Sequence, residues 1–282
     1  MTKYITKLLV PVDFRVNTEV AIKKAIEIAD HDAVIHLLHV QSYSVPGLSS
    51  AAFRYLMQPD LLKDREHAQR QLEEWKFAIE ECREDVRVAL DIVLTDSTQQ
   101  AILRKARDTE ADLIIVGKSS CHSWFPFLNK VRPGLLARQT GAAVLTVKPG
   151  SVWHKVKRVV IPVTNPTLQN KVKAVSTLCK KFKIEVHLVD FRDTDQHMPP
   201  SAAQALYLWI RETLKCPVEV VHLHGSNKAK AILGYARRVD ADLLLLHPDK
   251  ETFIGRFNKN IADELPSSSK MQIWTVNPAP VF

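Results

Sequence analysis

The chain contains an internal repeat, and this repeat constrains its fold more than any other feature. Residues 7–40 align without a gap with residues 158–191, so that every position in the first segment is matched 151 positions later. Pro11 falls on Pro162 in this alignment, and most of the other matched positions are apolar in both segments. A duplication of this size predicts two copies of one supersecondary unit in the same chain.

A second repeat extends the duplication towards the end of each half. Here the offset is 130 positions, and the tripeptide Ala-Asp-Leu ending at Leu113 falls on the same tripeptide ending at Leu243. The smaller offset places a shorter middle segment in the second half. We therefore predict two tandem domains, residues 1–150 and 151–282, joined near Pro149–Ser151.

Each half alternates short apolar runs with amphipathic segments. Apolar residues recur every three or four positions in the segment from Asp60 to Cys82, which predicts a helix with Ala68, Leu72, Trp75, Ile79 and Cys82 on one face. Ser97 and Asn227 are predicted to cap later helices with their side-chain oxygens. The runs predicted as strands are Leu8–Val12, Val34–Val40, Arg87–Val93, Leu113–Val116, Ala143–Val147, Val159–Val163, Glu185–Val189, Val218–His222, Leu243–Leu246 and Ile273–Val276.

Apolar strands separated by helices indicate an α/β fold with parallel strands that are covered on both faces. Right-handed crossovers then give each half a doubly wound sheet of five strands. Such sheets bind ligands beyond the carboxyl ends of their strands, where the strand order reverses. The positions that end strands one and four, Asp13 and Gly117, are therefore the first candidates for a site.

The composition limits the class of protein. No apolar run approaches the ~20 residues of a membrane helix, and no apolar signal core begins the chain, so we expect a cytoplasmic protein without a membrane partner. Only 8 of the 282 residues are glycine, which leaves few places where a backbone can close around a phosphate. The four cysteines contain no Cys-x-x-Cys pair and are predicted to be reduced thiols: Cys82, Cys121, Cys179 and Cys216.

Charge and motifs give no sign of nucleic-acid binding or catalysis. The net charge is +8, but the basic residues are spread along the chain without a basic helix or an RNA-binding aromatic motif, so no nucleic-acid partner is expected. The Gly-x-Ser-x-Gly, Walker and His-Glu-x-x-His motifs are absent. We therefore predict no catalytic residue, no metal site and no enzyme activity.

Three motifs of the first half resemble the universal stress protein (UspA-type) family. They are the opening LLVPVD that ends at Asp13, the LLHV that ends at Val40, and the ADLIIVG that ends at Gly117. The resemblance extends over nearly the whole chain, once per half, as in a tandem universal stress protein. It implies a Rossmann-like, adenine nucleotide alpha hydrolase-like sheet of order 3-2-1-4-5 in each half. It also implies that the halves pair through their fifth strands as an intramolecular pseudo-dimer, and it leaves a further homodimer open.

One branch of this family binds ATP through the pattern Gly-x-x-Gly-x9-Gly-Ser/Thr after strand four. In the first half the pattern begins at Gly117, but its other glycines fall on Ser120 and Lys130 and its hydroxyl position on Val131. The corresponding second-half residues are His247, Lys250, Asn260 and Ile261. A side chain at a close-approach glycine occupies the space that a phosphate needs. We therefore expect neither half to bind ATP in the usual way of the family.

A candidate ligand site remains in the first half. The resemblance places an adenine-facing aspartate at Asp13, although this carboxylate could equally bond the loop that follows it. Lys118 and Lys130 could attract an anion by charge alone. The candidate cofactor-binding residues are Asp13, Val40, Gly117, Lys118, Ser120 and Lys130. We predict a non-catalytic stress-response protein that binds a protein partner or a small ligand without a cofactor; the alternative is an ATP-binding switch that uses this first-half crevice.

Overall fold

The structure is a computed structural model that describes residues 5–42, 58–118, 131–151, 155–163, 169–191, 202–225, 227–248, 253–254, 259–260, 265–266 and 268–276. The chain divides into two compact units, Met1–Arg132 and Pro133–Phe282, called unit one and unit two below. In the described part of the chain, no helix has both the length and the apolar character needed to cross a membrane.

Unit one is a parallel sheet with crossover helices. Its elements are β1 (Lys7–Val12), α1 (Val16–Ile28), β2 (Val34–Ser42), α2 (Gln58–Cys82), β3 (Arg87–Thr95), α3 (Thr98–Asp108) and β4 (Leu113–Gly117). The strands run in the order β3-β2-β1-β4, and all three pairings are parallel. The strand order therefore reverses between β1 and β4, as the family resemblance implies.

Unit two repeats this arrangement with additional elements. These are α4 (Pro133–Thr140), β5 (Ala143–Val147), a 3-10 turn (Pro149–Ser151), β6 (Arg158–Pro162), α5 (Gln169–Lys181), β7 (Glu185–Phe191), α6 (Ala202–Trp209), a π-helical turn (Ile210–Leu214), β8 (Val218–Leu223), α7 (Lys228–Arg238), β9 (Leu243–Leu246), β10 (Phe253–Ile254), β11 (Lys259–Asn260) and β12 (Gln272–Thr275). The parallel strands run in the order β8-β7-β6-β9-β12, which is the predicted 3-2-1-4-5. The short antiparallel pair β10-β11 was absent from the predicted elements.

The ten predicted strands are confirmed, with bounds that differ by at most two residues. The helix predicted over Asp60–Cys82 is also confirmed, and it buries Ala68, Leu72 and Ile79. Cys82 ends this helix, three residues after Ile79, and is exposed.

Both predicted helix caps are confirmed. The Ser97 hydroxyl accepts a hydrogen bond from the Gln100 amide, and the Asn227 side chain accepts one from the Lys230 amide. Each bond satisfies a backbone donor of the first helical turn, which has no carbonyl partner within its own helix. The caps therefore fix where α3 and α7 begin.

The division between the units lies earlier than the predicted join at residue 150. β5 pairs antiparallel with β12, with Thr146 opposite Ile273 and Val144 opposite Thr275. This ladder ties α4 and β5 to the strands of the second half, although the sequence repeat assigns them to the first.

The repeated Ala-Asp-Leu tripeptide holds the amino end of one strand in each unit, β1 in unit one and β6 in unit two. The Asp112 carboxylate accepts hydrogen bonds of 2.9 Å from the amides of Thr6 and Lys7. The Asp242 carboxylate accepts two of the same length from Lys157 and Arg158. One acidic side chain thus holds two backbone donors that a strand end would otherwise leave to water.

Candidate functional site

The candidate site of unit one lies at the carboxyl ends of its strands. Asp13 directly follows β1, Gly117 ends β4, and α1 begins at this same edge with Val16. We call the region formed by Asp13, Phe14, His39, Trp75 and Gly117 the carboxyl edge.

The carboxylate of Asp13 is engaged by the first turn of α1. Thr18 donates its hydroxyl proton to Asp13 Oδ1 at 2.6 Å and accepts the Asp13 amide proton at 3.0 Å. The Arg15 amide donates to the same carboxylate oxygen at 3.3 Å. Thr18 is completely buried, so these bonds lie partly away from solvent. The sequence left two roles open for Asp13, a ligand contact or a bond to the loop that follows it. These contacts are those of the second role.

Gly117 is placed against the backbone of α1. A Cβ atom on this residue would lie 2.1 Å from the carbonyl oxygen of Asn17, far inside van der Waals contact. Only a glycine therefore allows β4 and the first turn of α1 to approach so closely. This packing requires Gly117 whether or not a phosphate ever binds beside it.

Three aromatic rings meet at the carboxyl edge. The Phe14 ring lies 4.6 Å from the ring of His39 and 5.4 Å from that of Trp75, centroid to centroid, and both pairs are tilted. All three side chains are only partly buried. Phe14 has a φ of 56°, a left-handed conformation that costs energy for a bulky side chain and that turns the chain from β1 into α1.

His39 is held as a neutral ring. Its Nδ1 atom lies 3.0 Å from the carbonyl oxygen of Val12. Because a carbonyl oxygen can only accept a hydrogen bond, Nδ1 carries the ring proton and donates it. Burial lowers the pKa of His39 below its usual value, against smaller opposing effects of this hydrogen bond and of the Asp13 charge. The carboxyl edge therefore presents a neutral aromatic surface beside one engaged carboxylate.

The remaining candidate residues of the first half differ in position. Val40 lies on β2 and is buried in the core. Lys118 follows β4 and is also buried, with 2% of its surface exposed. Ser120 and Lys130 lie outside the described residues.

The equivalent edge of unit two carries different chemistry. His247 takes the place of Gly117 and is buried. The ammonium group of Lys171, in the first turn of α5, is completely buried and donates to the carbonyl oxygen of Pro162 at the end of β6. Lys250 and Ile261 lie outside the described residues, and for Asn260 only the backbone is described.

Metal chemistry finds no support in the described segments. They contain no group of three or more His, Cys, Asp or Glu side chains that could bind a metal ion.

The aromatic group of the carboxyl edge was not predicted from the sequence. Trp75 was predicted only to share a helix face with Ala68, Leu72, Ile79 and Cys82, and Phe14 was not singled out. An aromatic residue two positions after the first strand was the available signal, because the loops that follow the strands lie at the carboxyl edge of a doubly wound sheet.

Comparisons with known proteins agree with this fold. Residues 5–128 match the Universal stress protein family. A universal stress protein from Archaeoglobus fulgidus has a similar structure, with a TM-score of 0.66 and 14% identity over 99% of this chain and 98% of its own. A functionally unknown protein from Pseudomonas aeruginosa PAO1 has a TM-score of 0.57 and 15% identity over 97% of this chain and 93% of its own. No curated protein matches the chain.

A similar structure also occurs in one domain of a cotransporter. The cytoplasmic domain of a prokaryotic cation chloride cotransporter has a TM-score of 0.55 and 12% identity over 96% of this chain and 95% of its own. At these identities, the likeness concerns the fold and not the function. Residues 5–128 therefore match the Universal stress protein family, and the second half of the chain repeats the α/β fold of the first.

Proposed function

We propose that this protein is a non-catalytic universal stress protein that acts by binding a partner protein or a small ligand, and not by binding ATP through the glycine loop of its family. The observation that carries the proposal is the engagement of Asp13, whose carboxylate bonds the Thr18 hydroxyl and the Arg15 amide. Both bonds are made at Oδ1, so this aspartate has a role in building the turn into α1 that does not require a nucleotide.

The other contacts of the carboxyl edge support the same conclusion. Gly117 keeps α1 and β4 in close contact, so it has a packing role that does not depend on a nucleotide. Half-exposed rings of Phe14 and Trp75 provide apolar contact area in the first half. Such rings suit a hydrophobic or planar binding partner better than a phosphate.

The alternative function is an ATP-dependent switch in the first half. The retained Asp13 and Gly117 favour it, since both match the family pattern. In that case a donor group of ATP would bind Oδ2 of Asp13, because the hydrogen bonds from Thr18 and Arg15 are made at Oδ1.

Calorimetric titration of the full chain with ATP distinguishes the two functions, after acid extraction has tested the purified protein for bound adenine. We expect no heat of binding at millimolar ATP and no extracted nucleotide. Micromolar binding to one site that Asp13→Asn removes would overturn the proposal. Glu74→Gln is the matched control, because it removes the same charge at an exposed position of α2.

A further inference from the structure

The strand β3 has one long side that faces away from β2, and we call this side the outer edge of β3. β3 is the outermost strand in the order β3-β2-β1-β4 of unit one. The Arg87 amide donates to the carbonyl oxygen of Ala33, so the backbone groups of Arg87 face β2. Because backbone groups alternate in direction along a strand, every second residue after Arg87 turns its amide and carbonyl towards the outer edge. These residues are Val88, Leu90, Ile92 and Leu94.

The outer edge is covered at its beginning. The Val88 amide donates to the Glu80 carboxylate of α2 at 2.9 Å. Within the described ranges of the chain, the backbones of Leu90, Ile92 and Leu94 make no hydrogen bond on this outer side. Three successive outward positions therefore keep amides and carbonyls available to a further strand.

The side chains along the outer edge are mostly apolar. Leu94 is exposed, with 39% of its surface accessible, and Leu90 and Ile92 are partly exposed. Asp91 forms an ion pair of 2.6 Å with Lys105 of α3. Because side chains alternate along a strand, the two leucines and the isoleucine share the face opposite to Asp91 and form one apolar row.

The outermost strand of unit two has an edge of another kind. β8 is only six residues long, and the carbonyl oxygen of Pro217 before it accepts a hydrogen bond from β7. The outward positions of β8 are therefore Val218, Val220 and His222. His222 is exposed and polar. A short strand with a polar side chain at its edge is poorly suited to further pairing, and the second half of β3 lacks this protection.

We propose that the outer edge of β3 binds β3 of a second copy of this chain, in an antiparallel pair centred on Ile92. In this register Ile92 lies opposite Ile92 of the second copy, and Leu90 lies opposite Leu94 of the second copy. The two apolar rows then join into one strip on the same face of the sheet. A register centred on Asp91 would instead place two carboxylates opposite each other, which is unfavourable.

The charges at the ends of β3 favour the antiparallel direction. Arg87 begins the strand and Asp96 directly follows it, and both side chains are exposed. An antiparallel pair brings the Arg87 end of each copy beside the Asp96 end of the other, so that opposite charges meet at both ends. A single pair of strands buries a small area for a specific interface, so we expect a reversible dimer that forms at micromolar concentrations.

Sedimentation velocity of the full chain over a range of micromolar concentrations tests the dimer. We expect a monomer–dimer equilibrium that Leu94→Lys weakens by about tenfold or more, because this variant places a charge in the apolar strip. Leu208→Lys is the matched control, since it makes the same exchange at a position of α6 that is 43% exposed. A chain that stays monomeric, or a dimer that both variants weaken equally, would overturn the proposal.

Cysteine cross-linking tests the register in a chain whose four native cysteines are replaced by serine. Ile92→Cys places two thiols opposite each other in the dimer, so mild oxidation should give a covalent dimer. Leu90→Cys should not link to itself, but a mixture of Leu90→Cys and Leu94→Cys chains should link. Efficient linking of Leu90→Cys alone would contradict the pair centred on Ile92, and circular dichroism shows that each variant is folded.

Discussion

The hydroxyl group of Thr18 and the carboxylate of Asp13 hold each other in place at the carboxyl edge of unit one. Thr18 donates at 2.6 Å to the Asp13 side chain and accepts at 3.0 Å from the Asp13 amide. The aspartate that matches the family pattern is thereby used to build the turn from β1 into α1. This relationship fixes the position of the carboxylate at the start of α1, with the Thr18 bond made at Oδ1.

Removal of the Thr18 hydroxyl should destabilise the protein. In Thr18→Val the amide and the carboxylate of Asp13 both lose a partner at a buried position, and we expect a loss of about 1–3 kcal/mol in the free energy of unfolding. Thr18→Ser keeps the hydroxyl and loses one methyl group, which costs about 1 kcal/mol. Urea denaturation followed by circular dichroism measures both, and equal losses would show that the hydrogen bonds do not matter.

A methyl group at Gly117 should be destabilising whether or not a nucleotide is present. Its Cβ would lie 2.1 Å from the Asn17 carbonyl oxygen, so Gly117→Ala forces β4 and α1 apart, at a cost of about 1–3 kcal/mol or more. Gly234→Ala is the matched control, because Gly234 lies inside α7 and a Cβ there meets nothing within 4 Å. This control should gain about 0.5–1 kcal/mol. Thermal unfolding of the two variants should therefore shift in opposite directions.

The paired aspartates of the Ala-Asp-Leu repeat should differ in their contribution to stability. Asp242 is buried and Asp112 is exposed, although each accepts two backbone hydrogen bonds of 2.9 Å. We expect Asp242→Ala to lower the free energy of unfolding by about 2–4 kcal/mol, because two backbone donors lose a charged acceptor in a buried place. Asp112→Ala should have a smaller effect, since water can replace its carboxylate. A larger effect of Asp112→Ala in urea denaturation would contradict this explanation.

Acid should weaken the contact between the end of α2 and α1. The Arg83 guanidinium donates two hydrogen bonds of 2.7 Å to the Asp85 carboxylate and one of 2.9 Å to the Ile26 carbonyl oxygen. The hydrogen bonds and charge of Arg83 lower the pKa of Asp85 from 3.8 to about 2.

Because the folded protein binds this proton less tightly than the unfolded chain, the stabilisation is present above about pH 3.8 and is lost as the pH falls through about 2. Urea midpoints of the wild type and of Asp85→Asn should differ at pH 5 and approach each other towards pH 2. A difference that is constant over this range would show that the Asp85 charge does not stabilise the fold.

Much of the architecture follows from the sequence alone. The pattern of the apolar residues predicted ten strands and the helix α2. The capping residues Ser97 and Asn227 marked the starts of the helices α3 and α7. These features are local, since a few consecutive residues contain the information for each. The internal repeat then predicted the tandem sheets, because two segments with one apolar pattern favour one fold.

The tertiary structure decided how individual side chains are used. The sequence left two interpretations of Asp13 open, and only the packing of α1 brings Thr18 to its carboxylate. Only the tertiary structure gives the register of the ladder between β5 and β12, in which Thr146 lies opposite Ile273. Contacts between distant residues depend on strand order and helix packing, which the hydrophobic period does not encode. The sequence by itself therefore determined the elements and their order, and the tertiary structure decided the chemistry available at each edge of the sheets.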